Sequence, residues 1–313
     1  MVGDLFRPGP PLPQRRSDFA VAATDSALFL VGGCVAPREP VRETWVLDLR
    51  SEKWSEDPPI PSPREGLGWA LEGDWLVTAG GYLPSAQTSE AVEAFHLRER
   101  RWEVRPPLPH PTAWARIARE GRALHLAGGF RIDPRNADAV VPDHMQTSSE
   151  SSGPSGDWRE SSPLPLSAAD GAFASLRSGE KLVWAGGALG VGAWKREHLF
   201  AQPVTGVTFA FDTFHQAWQR LPELPGPRRA HRALALEEGM LVVGGVDDET
   251  LGLASAFLLT PDGVWTELAP LPHPRYHFGM IEVGEEIWIL GGNYLEGEAP
   301  PTWRVPTRDW VRG

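Results

Sequence analysis

Six times along this chain a short apolar run ends in a pair of glycines: Gly32-Gly33, Gly80-Gly81, Gly128-Gly129, Gly186-Gly187, Gly244-Gly245 and Gly291-Gly292. The runs before them, such as Leu28-Phe29-Leu30-Val31 and Ile287-Trp288-Ile289-Leu290, have the length and the β-branched and aromatic content of buried strands. A tryptophan recurs downstream of each pair: Trp54, Trp102, Trp158, Trp218, Trp265 and Trp310. Proline-rich turns such as Pro107-Leu108-Pro109 and Pro270-Leu271-Pro272 follow five of these, and Pro11-Leu12-Pro13 precedes the first unit. Sixteen positions before the first glycine of each pair stand Arg16, Arg64, Thr112, Asp170, Arg228 and Arg275, so the count needs no gap in that half of the unit. Length varies between Gly-Gly and Trp, where the tryptophan follows the second glycine by 21, 21, 29, 31, 20 and 18 positions. A constant half and a variable half recurring together describe one supersecondary unit with tolerant loops.

Each unit has room for four short antiparallel strands. One follows the proline turn and the next ends at Gly-Gly. A third reads Thr44-Trp45-Val46-Leu47 or Ala256-Phe257-Leu258, and the fourth carries the tryptophan; in the last unit either Asp309 to Arg312 around Trp310 or Asp4 to Arg7 at the other terminus could supply it. In the third unit the serine-rich run Thr147 to Gly156 reads as a loop between strands three and four, too polar to pack. Four-stranded units at this period indicate an all-β propeller. The combination of Pro-Leu-Pro, Arg, Gly-Gly and a spaced Trp resembles the kelch repeat over essentially the whole chain. That resemblance implies a six-bladed kelch-type β-propeller of four-stranded antiparallel blades. Expected blades are 11–58, 59–107, 108–163, 164–222, 223–270 and 271–313, in one domain, with 1–10 as a candidate closing strand.

Bulk properties narrow the function classes. A net charge of −11 in 313 residues excludes a general nucleic-acid binder, which needs a basic face. The lone Cys34 can form neither an internal disulfide nor a thiol metal site. No apolar run reaches bilayer length, and the N-terminus lacks the apolar stretch of a secretory signal. The expectation is a cytoplasmic monomer with no cofactor, no metal, and neither a nucleic-acid nor a membrane partner.

In an up-and-down blade the turn into strand one and the loop after Gly-Gly emerge on the same face. Residues there should converge on one mouth of the central channel, the default place for a binding site. The candidate binding residues are Tyr82, Trp114, Arg131, Trp194, Arg196, Arg229, Tyr276 and His277. Aromatics offer flat contact area and arginines hold carboxylates or backbone oxygens. Trp194 and Arg196 belong to an insertion after the fourth Gly-Gly pair that should overhang the mouth. The favoured function is a non-catalytic binding or scaffold module for a protein segment or a small polar or acidic ligand. An alternative implied by the resemblance is a sialic acid mutarotase-like enzyme, with Asp18, His277, Glu65 and Arg229 as its polar groups. A remote one is a copper radical oxidase-like enzyme, suggested by Tyr276-His277 but lacking the second tyrosine cross-linked to cysteine.

Overall fold

The strands are buried where neighbours cover both faces and half-exposed where one face meets solvent. All five residues of Ala27–Val31 are buried, whereas Lys53–Asp57 has none. A computed structural model describes residues 5–36, 39–133, 136–141, 148–151, 156–176, 181–190, 202–293 and 300–312. In it the chain opens with β1 (Arg7–Pro8). The first unit follows as β2 (Ala20–Ala23), β3 (Ala27–Val31), β4 (Thr44–Asp48) and β5 (Lys53–Asp57). The second is β6 (Gly68–Glu72), β7 (Trp75–Ala79), β8 (Val92–His96) and β9 (Arg101–Arg105). The third comprises β10 (Arg116–Glu120), β11 (Ala123–Ala127), a side hairpin β12 (Arg131–Asp133) and β13 (Asn136–Val141), then β14 (Ser148–Ser151) and β15 (Trp158–Glu160). The fourth has β16 (Ala168–Ala169), β17 (Ala172–Ser175), β18 (Lys181–Leu189), β19 (Val204–Asp212) and β20 (Ala217–Leu221). The fifth is β21 (Arg232–Ala235), β22 (Met240–Val243), β23 (Ala256–Leu259) and β24 (Trp265–Leu268). The sixth is β25 (Gly279–Val283), β26 (Glu286–Leu290) and β27 (Trp303–Pro306), and α1 (Thr307–Arg312) ends the chain.

The fold is an all-β propeller, but among the described residues it shows five regular four-stranded blades rather than the six expected. These five come from the first, second, third, fifth and sixth units. The fourth unit instead makes a five-stranded sheet. Its β18 and β19 run on past the glycine pair as nine-residue strands. Pairing that elsewhere is a single bridge, such as Ser17↔Cys34 or Glu65↔Tyr82, therefore becomes the short strand β16 against β18.

Two further expectations are corrected, and one alternative left open is decided. The described part of the serine-rich run, Ser148–Ser151, is not a loop: it is β14, which lies between β11 and β15 as a strand held by main-chain pairing. Trp310 does not lie on a strand but in α1. The outer strand of the last blade comes from the other terminus, where β1 pairs antiparallel with β27. Phe6 meets Trp310 edge-on with ring centroids 5.2 Å apart, so both ends of the chain are packed into the same blade.

The units are joined through the glycine pairs. The second glycine donates its N–H to the register carbonyl of the next unit: Gly33 to Arg64 (3.0 Å), Gly81 to Thr112 (2.7 Å), Gly129 to Ala168 (3.0 Å) and Gly187 to Arg228 (2.8 Å). Gly245 to Arg275 (2.9 Å) and Gly292 to Arg16 (2.8 Å) return the series to its start. Only glycine serves at Gly33, where φ is +82° and a Cβ would stand 2.4 Å from Ser17 O. The register arginines complete the joint from inside. Arg16 Nη1 donates to Gly32 O at 2.9 Å and Arg228 Nη1 to Gly244 O at 3.1 Å, while Arg64 holds Gly80 O and pairs with Glu93 at 2.7 Å. They are braces of their own glycine turns, and all are buried.

Candidate functional site

Just inside the mouth, each unit passes through one residue with left-handed backbone: Asp18 (φ 54°), Gly66 (59°), Trp114 (52°), Asp170 (58°), Ala230 (57°) and His277 (53°). Five of these are not glycine, and such residues persist only where their surroundings over-determine them. Here the surroundings are each other. Asp18 N donates to His277 O (2.9 Å), Trp114 N to Gly66 O (2.8 Å) and Asp170 N to Trp114 O (2.9 Å). Ala230 N donates to Asp170 O (2.8 Å) and His277 N to Ala230 O (2.9 Å). The indole of Trp114 lies over Gly66, where a Cβ would be 2.7 Å away.

This ring corrects the ungapped register. Asp170 is the counterpart of Asp18, not of Arg16; Ala168 fills the register position, 18 rather than 16 before Gly186. The two extra residues sit in the hairpin between the first two long strands. That hairpin closes through Leu176 N to Lys181 O in the fourth unit, against Thr24 N to Ala27 O in the first.

With Asp170 so placed, three ring side chains meet. His277 Nδ1 is 2.9 Å from Asp18 Oδ2, and its Nε2 is 2.8 Å from Asp170 Oδ2. Both partners accept, so both ring nitrogens donate and the imidazole is an imidazolium. All three residues are at most 6% exposed. Burial alone would lower the His277 pKa, but the attraction of Asp18 and Asp170 outweighs it and raises the value to about 9. Asp170 is likewise opposed by burial, yet His277, Arg116 and Arg229 hold its carboxyl well below the usual range. Arg116 pairs with Asp170 and donates Nε to Gly171 O at 2.9 Å. Arg229 Nη1 stands 3.9 Å from Asp170 Oδ2, and Arg232 Nη2 stands 3.8 Å from Asp18 Oδ1. The result is a charged knot crossing the channel, made from the first, third, fourth, fifth and sixth units.

Of the residues expected at the mouth, Arg229 and Tyr276 are half-buried beside this knot. Arg229 bridges in backbone to Val246 and Tyr276 to Asn293. Burial raises the Tyr276 hydroxyl pKa, so it is a neutral donor at ordinary pH. Arg131 is half-buried at the start of β12. His277 is the centre of the knot. Tyr82 and Trp114 are buried in an aromatic cluster, with Trp114 5.9 Å from Tyr82 and stacked on Phe130 at 5.1 Å. Trp194 and Arg196 lie outside the described residues. The segments after the glycine pairs also carry Glu39, Asp133, Asp247, Asp248 and Glu249. Cys34, beneath the mouth, lies 3.2 Å from Ser17 Oγ, and burial together with Asp18 and Glu65 pushes its thiol pKa up.

Sequence reasoning missed Asp170 as a partner of His277, together with Arg116 and Arg232. The signal for the arginines was present: both stand four positions after their register residues, Thr112 and Arg228. The signal for Asp170 was hidden by the two-residue insertion. Among the described residues no group of His, Cys, Asp and Glu is arranged to hold a metal, and no helix is long and apolar enough to cross a membrane.

Comparison with known proteins agrees with this architecture. The Kelch motif family matches residues 15–61. Beta-scruin of Limulus polyphemus is 27% identical over 89 residues, which is 28% of this chain and 10% of that protein. A probable serine/threonine-protein kinase of Dictyostelium discoideum is 31% identical over 86 residues, 26% of this chain and 6% of the kinase. Kelch-like protein 34 of Homo sapiens is 29% identical over 101 residues, 28% of this chain and 16% of the human protein. The matches thus span at most 16% of the length of these relatives.

Proposed function

Starting from a chain that carries kelch repeats folded as an all-β propeller, we propose that it is a non-catalytic protein-interaction scaffold binding a peptide segment at the Gly-Gly mouth. The segment presents a carboxylate to Arg229 and packs against Tyr276, with Arg131 at the edge. The carrying observation is the half-buried Arg229 and Tyr276, set on a ring whose side chains and backbone are already fixed by the His277 knot. Preorganisation of this kind lowers the ordering cost of binding. Tyr82, Trp114 and His277 act from beneath, as the rigid floor, and the insertion with Trp194 and Arg196 is proposed to cover the segment. The acidic residues at the outer loops select against a run of carboxylates and favour a single one with neutral or basic flanks. The five-stranded sheet takes a blade's place, so that six units surround one channel. The protein works as a monomer in the cytoplasm, where the lone buried thiol of Cys34 needs no partner.

Fluorescence anisotropy with labelled peptides tests the reading. A peptide with one Asp among neutral and basic residues should bind, and its Asn version about tenfold or more weaker. Arg229→Ala should lose the Asp/Asn difference. Equal binding of the two peptides, or an unchanged difference in Arg229→Ala, contradicts it.

A further inference from the structure

Beyond the ring, on the side away from the mouth, the channel widens into a cavity of about 180 Å³ between β6, β10, β17 and β21. The widening has a cause in the sequence. Two residues past each ring position stand Ala20, Gly68, Arg116, Ala172, Arg232 and Gly279, four of them with no side chain beyond Cβ. The two arginines of this layer are employed differently. Arg116 is committed to Asp170 and to Gly171 O. Arg232 gives Nε to Phe278 O at 2.6 Å and Nη1 to His231 O at 3.5 Å. Among the described residues its Nη2 has only the 3.8 Å approach to Asp18 Oδ1, itself a buried oxygen with no hydrogen-bond donor. The Arg232 side chain is nine-tenths buried, and its Nη2 edge makes no hydrogen bond among the described residues, so it has a donor to offer a ligand at the cavity wall.

The field there is positive. Arg116, Arg119 and Arg232 face the cavity from β10 and β21, and Arg229 and His277 stand behind them, against the carboxylates of Asp18 and Asp170. His231, the other titratable group in the wall, is held neutral by its burial. The remaining wall is apolar, with Phe173, Leu234 and Met280 among its residues. We infer that this cavity is a second binding site, for a small organic carboxylate with one apolar ring or short chain, its carboxylate on the Nη2 edge of Arg232 and its body against Phe173, Leu234 and Met280. A dry cavity of about 150 Å³ takes benzene, so one ring fits the volume. The ring of left-handed residues separates this site from the mouth, and its occupant is independent of any peptide bound there.

Calorimetric titration of the whole protein with benzoate, benzamide and inorganic phosphate tests the assignment. Benzoate should bind saturably and about tenfold tighter than either control, since benzamide lacks the charge and phosphate the apolar body. Arg232→Met should abolish the preference for benzoate over benzamide. Because that variant disturbs the knot, Ala174→Leu is the second probe: it adds bulk at a cavity-lining position that is no member of the knot, and should weaken benzoate about tenfold or more. No saturable binding of benzoate overturns the proposal, as does equal binding of benzamide or phosphate. Unchanged affinity in Ala174→Leu overturns it too. Peptide anisotropy at the mouth should be unaffected by Ala174→Leu, which keeps the two sites distinguishable.

Discussion

His277 and His231 sit on neighbouring units, are both buried, and titrate in opposite senses. His277 is raised from 6.5 to about 9 by Asp18 and Asp170, against its burial. Its contribution to stability is fully present below 6.5 and is lost as pH rises through 9. His231 is lowered from 6.5 to about 3, first by burial and then by the repulsion of Arg228, while Nε2 donates to Ala185 O at 3.1 Å. Its contribution is present above 6.5 and is lost as pH falls toward 3. Urea midpoints should therefore peak near neutrality and fall on both sides. His277→Gln should flatten the alkaline limb by on the order of 3 kcal/mol while leaving the acid limb in place. An alkaline limb that persists in His277→Gln would remove the imidazolium from the account. Removing the hydrogen-bonding groups as well, as in His277→Leu, leaves Asp18 buried with only the 3.8 Å approach of Arg232 Nη2 and should cost about 3–5 kcal/mol.

At the scale of the strand and its turn, the glycine pairs are the joints. Gly33 and Gly73 both have positive φ, but a Cβ on Gly33 meets Ser17 O at 2.4 Å and one on Gly73 meets nothing within 4 Å. Gly73→Ala should cost about 1 kcal/mol, the backbone penalty alone. Gly33→Ala should cost roughly 3 kcal/mol or more, since main chain must also move. Equal urea midpoints for the two variants would mean that close approach between strands is not what fixes these glycines. The same scale shows what the sequence could and could not tell. Gly-Gly, the tryptophans and the strand-three runs located most strands, because burial on both faces demands uninterrupted apolar residues. The strand Ser148–Ser151 was illegible, since its place depends on main-chain pairing to β11 and β15 that no side chain advertises. Asp170 was misplaced because an ungapped count crossed a hairpin two residues longer than its counterparts, and the counterpart of Asp18 therefore looked like a broken arginine position.

The whole molecule is closed by its two ends. β1 gives the last blade its outer strand, and Phe6, 3% exposed, packs on Trp310 of α1. Phe6→Ala should destabilise by about 3 kcal/mol or more. Its effect should appear first as faster hydrogen exchange in β27, whose edge is freed; uniform loss of protection across all the sheets would indicate closure by some other contact. Propeller architecture was legible at this scale from the repeat alone, and the closing strand was not, because Asp4 to Arg7 and Asp309 to Arg312 offer similar patterns. The central functional claim is that partners are met at the Gly-Gly mouth rather than on the outer rim. Photo-crosslinking decides it, with p-benzoylphenylalanine placed at Asn293, half-buried beside Tyr276, or at Phe214, 79% exposed on the rim. The account predicts crosslinks to the single-carboxylate peptide from Asn293, abolished by excess unlabelled peptide, and none from Phe214; crosslinks from Phe214 alone would contradict it.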